Sequence, residues 1–211
     1  MGLKARFLSL ILSLPALLIA LTFHEYAHGY AALKMGDPTA KYSGRLSFNP
    51  VHHMDLMGTI CLLFFGFGWA RPVPVNPRNF RDAKKGAIVV SLAGPFANFV
   101  LALFFSFVIA AMERFVSANT FTVFFYNIFS ACVYLNVGLM IFNLLPIPPL
   151  DGSKVLMEFL PPRAKYKFYE FERYSGIILM ALIVFNVLTP VLSFLKNWVL
   201  VFINILVGLV F

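Results

Sequence analysis

Three stretches of this chain carry no charged side chain: Phe7–Phe23, Gly86–Met112 and Phe115–Leu150. A fourth, Tyr174–Phe211, carries only Lys196. At about 1.5 Å per residue in a helix, the longer of these runs exceed the roughly 30 Å hydrocarbon core of a bilayer, and the first reaches it together with the residues up to 33. Of the 211 residues, 60% are hydrophobic and only 12% charged, with a mean hydropathy of +0.83. A water-soluble fold has nowhere to hide that much apolar surface, so the chain is an integral membrane protein. Its length fits one domain.

The net charge of +8 does not point to nucleic acid, because the basic residues flank apolar runs instead of forming a basic domain. They concentrate in 34–85 and 154–173, whereas 113–119 and 190–196 are nearly neutral. The positive-inside rule then puts both basic segments in the cytosol. Lys4 and Arg6 fall outside in that arrangement, against the rule. These two residues before an apolar run imitate a secretory signal, but no small-residue cleavage site follows. Cys61 and Cys132 form no framework and no paired ligand motif, and are expected to be buried free thiols.

In chain order, residues 7–33 read as the first membrane helix, with Pro15 a candidate kink and Gly36-Asp37-Pro38 its end. Residues 37–55 read as short strands or turns. The apolar run 56–70 is short for a membrane helix, and its glycines and the following RPVPVNP argue against regular helix. It is expected to be a re-entrant or interfacial β-hairpin. Gly86–Met112 is the second span, and AGPFAN (93–98) supplies small residues for close packing. The third lies at about 120–145 and leaves through PIPPL (146–150), whose prolines favour an extended segment. Two short helices follow around Pro161-Pro162. Thr189-Pro190 divides the last run into two candidate spans. The expectation is an all-α polytopic membrane protein of about five transmembrane helices, with a β-hairpin after the first. It reads as a single domain over 1–211, with a catalytic core at about 7–155 and C-terminal helices at about 174–211.

The first apolar run ends in FHEYAHG (23–29), which places His24, Glu25 and His28 as H-E-x-x-H. Residues four apart share a helix face, so both imidazoles can meet one metal ion with Glu25 beside them. This is the spacing of a zinc site with a carboxylate general base. The ordinary alternative, two helical histidines satisfied by neighbours, is weaker here, because ionisable groups at membrane depth are costly and usually functional. A catalytic zinc takes three protein ligands, and the candidates for the third are His52, His53, Asp55, Asp82 and Asp151. Asp151 follows a rigid proline segment at the end of an apolar helix, and Gly152 allows a tight turn. It also suits a helix N-cap before Ser153–Leu160, and on spacing alone the two readings stand level.

The stretches HEYAH (24–28), NPVHHMDLMGT (49–59), FGWARPVPVNP (67–77), SLAGPFANF (91–99) and FNLLPIPPLDG (142–152) together resemble the site-2 protease family of intramembrane zinc metalloproteases. They run from residue 23 to about 155 in the family's order. The pattern is most similar to the minimal branch, without PDZ or CBS domains. The resemblance implies one Zn2+ per chain held by His24, His28 and Asp151, with Glu25 as general base. It implies that Asn143 steadies the substrate or the oxyanion; the alternative is an amide bonded within the bundle. His53 and Asp55 match a further motif of that branch. Two apart on an extended segment they would point the same way, toward a fourth metal position or the substrate, unless they bind only backbone. His52 would point the other way.

The implied activity is hydrolysis of peptide bonds in or near transmembrane segments of single-span substrates, in a prokaryotic plasma membrane, with the active site toward the cytoplasm. A substrate helix must unwind first, and the 56–77 hairpin is expected to offer it a strand edge. A zinc transporter would need polar residues paired along several helices, and the sequence holds one cluster. A catalytically silent adaptor predicts degraded ligands, yet all four central residues are present.

Overall fold

The computed structural model describes residues 3–65 and 68–211, and the side chains of 13–61 and 68–211. Eight α-helices occur among the described residues: α1 (Leu3–Met35), α2 (Thr39–Tyr42), α3 (Leu56–Phe65), α4 (Ala83–Phe115), α5 (Thr120–Leu144), α6 (Asp151–Met157), α7 (Pro162–Val184) and α8 (Thr189–Gly208). No strand is present among them. The apolar core draws Ala16 from α1, Ala102 and Phe105 from α4, Cys132, Val137 and Ile141 from α5, and Ile203 from α8. Four helices therefore pack as one bundle. Small residues at Ala16, Ala20 and Ala102, all fully buried, let α1 lie close to α4.

Three of these helices, α4, α5 and α8, are long and apolar enough to cross a membrane. Helix α1 runs antiparallel to α4: His24 bonds Asn98, whereas His28, further along α1, bonds Val90, further back along α4. Helix α5 returns from the Phe115 end, and Asn119 caps its start by accepting from the amides of Phe121 and Thr122.

The expectation of five spans fails at α7. Lys196 of α8 lies against Gly138 in the Leu144 half of α5. The Phe211 ring, beyond the other end of α8, sits 6.3 Å from that of Phe115 at the far end of α4. Helix α8 thus already runs from the Leu144 end of α5 to the opposite end of the bundle. Helix α7 starts beside α6 on the Leu144 side, where Lys165 pairs with Glu158 at 3.3 Å, and its connection returns to the same side. The sequence could not show this, because the apolar run 174–211 is long enough for two spans and only packing decides how many it makes.

The β-hairpin expected at 56–70 is also replaced. Leu56–Phe65 is helix, started by Asp55, whose carboxylate accepts from the Gly58 amide at 2.8 Å. Residues 66–67 lie outside the described residues. The two arms still meet, with one antiparallel bridge among the described residues, between Met54 and Ala70, beside the Arg71 amide donating to the His53 carbonyl at 2.9 Å. Gly58 fits tightly against the Trp69 backbone, so its lack of a side chain serves this closure and does not break the helix. Cys132 is buried as expected. Cys61, on the surface of α3, is half-buried.

Two of the turns hold the site's outer wall. Gly36 ends α1 at φ +110°, a conformation open to glycine. The buried Asp37 carboxylate then accepts from the amide and hydroxyl of Thr39, from the Asn76 amide at 2.7 Å and from Asn79 Nδ2 at 2.8 Å. Burial alone would raise its pKa, but bonds from Thr39, Asn76 and Asn79 outweigh it and hold the carboxyl below its ordinary value. A lowered folded-state pKa stabilises the fold above the unfolded value, about 3.9, and that stabilisation is lost as pH falls through the folded value. Asp37→Ala should cost about 1–3 kcal/mol at pH 7 and flatten the acid limb of a melting-temperature series in detergent.

The topology itself can be read chemically. In a background with Cys61 and Cys132 replaced by serine, Ser117→Cys and Phe211→Cys should react with an impermeant thiol reagent from one side. Arg163→Cys and Phe185→Cys should react from the other. Labelling of Phe185→Cys from the Ser117 side would mean that α7 crosses the membrane.

Candidate metal centre

Helices α1 and α6 bring three donor atoms to one point. His24 Nε2 and His28 Nε2 are 3.0 Å apart, and Asp151 Oδ2 lies 3.3 Å from the first and 3.0 Å from the second. All three side chains are buried, and together they form a group that could hold a metal ion. Tetrahedral zinc with bonds of 2.0–2.1 Å places its ligand atoms about 3.3 Å apart, so this triangle has the required size.

The hydrogen bonds behind the ligands show which atoms face inward. His24 Nδ1 lies 2.6 Å from Asn98 Oδ1, and His28 Nδ1 lies 2.7 Å from the Val90 carbonyl. Both partners are acceptors, so both Nδ1 atoms carry the proton and both Nε2 atoms present lone pairs. Asp151 Oδ1 accepts from Lys154 Nζ at 2.9 Å, which leaves Oδ2 for the histidines. A single proton can bridge one of these contacts; a divalent cation satisfies all three donors at once.

Glycines make the space. A Cβ on Gly94 of α4 would lie 2.5 Å from His28 Nε2 and 2.7 Å from His24 Nε2, so any side chain there would crowd both donor atoms. A Cβ on Gly152 would strike the carbonyl of Leu144, so glycine there lets α6 fold back against the end of α5. Between them, residues 145–150 form a turn, with the Leu150 amide donating to the Ile147 carbonyl at 3.0 Å. The expected extended segment is thus a turn, because prolines fix φ without preventing the chain from bending between them. Asp151 is the first residue of α6, not its cap: the cap position is Leu150, and the aspartate side chain is spent on the histidines and Lys154. The N-cap reading is therefore replaced by the ligand geometry.

A cavity of about 540 Å³ opens onto this triangle. Glu25 lines it, with its Oε2 accepting from the Val73 amide at 2.9 Å. Asn143 lines it too, and its Nδ2 donates back to the Leu139 carbonyl at 3.0 Å. The side chains of Lys154 and Tyr169 form part of its wall. Residues 71–76 run along the cavity without regular structure. They are braced by Arg45, whose Nη2 donates to the Arg71 carbonyl at 2.7 Å.

The remaining candidates lie elsewhere. His53 is buried but donates from Nε2 to the Ser47 carbonyl at 2.7 Å, and Asp55 caps α3; neither joins the donor triangle. Both do the backbone-binding work that stood as the alternative. His52 is exposed, and Asp82 caps α4 by accepting from the Lys85 amide at 2.9 Å. Sequence reasoning missed Asn98, Lys154, Val73 and the position of Gly94. Only AGPFAN carries a signal, as small residues for close packing and as part of the family-like stretch SLAGPFANF.

Gly94→Ala should reduce zinc content after equilibration at limiting metal by at least about tenfold while far-UV circular dichroism stays unchanged, because one methyl crowds both donor atoms. Zinc binding equal to wild type would place the ion elsewhere.

Comparison with known proteins follows this geometry. A model of Peptidase family M50 matches residues 12–123 and 111–188. The chain is 42% identical over 170 residues to YwhC of Bacillus subtilis, provisionally named a zinc metalloprotease, covering 80% of this chain and 78% of that one. It is 30% identical over 188 residues to Rip2 of Mycolicibacterium smegmatis, which carries the same provisional name, covering 87% and 69%. A similarly named protein of Methanocaldococcus jannaschii is 32% identical over 148 residues, covering 69% of each. No solved structure matches. With the family model spanning most of the sequence and a relative of this identity, the chain belongs to peptidase family M50.

Proposed function

We propose that this chain is an intramembrane zinc metalloprotease of the site-2 type, cleaving single-span membrane proteins in or near their transmembrane segments. The observation that carries the reading is the convergence of His24, His28 and Asp151 on one point, with Glu25 on the same cavity wall, inside a bundle of membrane-length helices. One zinc ion per chain fits the one donor triangle found among the described residues, and the relatives' names agree with zinc as the metal. When bound, zinc would polarise a scissile carbonyl and acidify water to near-neutral pKa.

The chain's own groups then divide the labour. Glu25 is the general base: it takes the proton of the attacking water and hands it to the leaving amine. The Val73 amide holds Glu25 Oε2 and leaves the other carboxylate oxygen without that bond. Asn143 is positioned to steady the substrate carbonyl or the developing oxyanion. Lys154 holds Asp151 to a single inward oxygen. The walls formed by Val73, Val75, Phe80 and Met157 limit water around the reacting peptide. An unwound substrate segment would lie along residues 71–76, since the helix at 56–65 offers no strand edge.

Four helices, α1, α4, α5 and α8, form the span in this reading, with α7 on the active-site face and one domain over 1–211. The active-site side carries the basic segments 34–85 and 154–173, the second of which includes Arg163, Lys165, Lys167 and Arg173 of α7, so we assign it to the cytoplasm of a prokaryotic cell. The lipid bilayer surrounds the exposed apolar faces of α5 and α8.

Glu25→Gln is the test. The purified variant should keep its zinc and lose at least about 100-fold in cleavage of a model single-span substrate, as expected for a missing general base. Equal cleavage by both proteins, each loaded with zinc, would remove Glu25 from the mechanism.

A further inference from the structure

His24 and His28 are held in different ways. The proton on His28 Nδ1 goes to a backbone carbonyl, Val90, which no side-chain change can remove. The proton on His24 Nδ1 goes to a side-chain amide, Asn98, which has two ends and could in principle face either way. Asn98 is fully buried, and so is Asn136 of α5.

The amides form a one-way chain. Asn136 Nδ2 donates to the Cys132 carbonyl at 2.8 Å, so its Oδ1 points toward α4. There it accepts from Asn98 Nδ2 at 2.8 Å. Asn98 Nδ2 spends its second hydrogen on the Ala20 carbonyl at 3.1 Å. Turning the Asn98 amide over would press its oxygen against two other oxygens and leave its NH2 facing the imidazole. The amide therefore has one workable orientation, Oδ1 toward His24, and this fixes His24 with its proton on Nδ1 and its lone pair on Nε2.

We infer that Asn98 and Asn136 are positioning residues of the metal centre: a buried amide relay in which Asn136 orients Asn98 and Asn98 sets the tautomer and ring angle of His24. The inference rests on the reading of the site as a zinc centre. It gives a residue that touches neither metal nor cavity, Asn136, control over one ligand. The choice of amide over carboxylate has a consequence of its own. A neutral acceptor stiffens the imidazole without adding a second negative charge behind it. His24 therefore passes less electron density to the ion than it would behind an ionised carboxylate.

The relay makes an ordered set of expectations for zinc affinity, measured by competition with a chromogenic chelator on the full chain in detergent. Asn98→Leu removes the acceptor and should weaken zinc binding about 10- to 100-fold. Asn136→Leu leaves the acceptor but frees it to turn, and should weaken binding by less than Asn98→Leu and by more than twofold. Asn98→Asp keeps an acceptor toward His24, but its second oxygen faces the Ala20 carbonyl and Asn136 Oδ1 and must carry a proton to be satisfied, so this variant should weaken zinc binding by less than Asn98→Leu.

A merely structural role predicts something else: all three variants lower the melting temperature of the zinc-free protein and leave zinc affinity within twofold of wild type. That result overturns the relay, as does Asn98→Asp binding as poorly as Asn98→Leu. If Asn98→Leu does not fold, Asn136→Leu decides the same point against the twofold limit. His24→Ala separates the two levels of the reading. Wild-type zinc binding that is indifferent to His24→Ala refutes the metal centre and the relay together. Binding lost in His24→Ala but unchanged in the amide variants refutes the relay alone.

Discussion

Three electron-pair donors facing one another across about 3 Å repel, and the packing around them exists to hold them there until a cation joins them. Each has its outer atom tied down: one imidazole by a carbonyl, one by an amide, the carboxylate by a lysine. None can turn away without leaving a buried polar group unpaired, which costs about 1–3 kcal/mol. The three donors are thereby kept within the spacing that one shared ion requires.

The rest of the bundle serves that clearance. Helix α4 approaches the histidines with a glycine where any side chain would crowd both donor atoms. Helix α6 reaches across from the end of α5 through a glycine of the same kind. The outer wall, residues 71–76, reaches Glu25 through the Val73 amide and is pinned by Asp37 and Arg45 from the turns after α1. The site is thus framed by the long helices α1 and α4, by the short α6 and by the irregular segment 71–76.

Much of this was legible in the chain. The uncharged runs reveal a membrane protein, and a four-residue spacing needs only a helix to become a pair of ligands. Residues whose role depends on a partner far along the chain were not legible. Asp151 reads equally as ligand or cap until α6 is seen to begin on it. Asn98 reads as packing until Asn136, on another helix, fixes which way its amide points. His53 and Asp55 look like ligands in alternation along a strand, but the segment turns, and their polar atoms go to local backbone. The count of spans failed for a related reason. Hydropathy reports what can enter a bilayer, whereas direction is set by contacts such as Lys196 on Gly138 and Phe211 on Phe115.

The wide separation of the ligands along the chain also has a timetable. His24 and His28 leave the ribosome together, on the first helix. Asp151 follows 123 residues after His28. At about 5–20 residues per second, that interval is roughly 6 to 25 s. During it α4 and α5 are synthesised, and with them Val90, Asn98 and Asn136, the groups that orient the two imidazoles. The order of the chain thus puts every partner of the histidines ahead of the carboxylate. The donor set cannot be complete before residue 151, the first of the sixth helix, has been added.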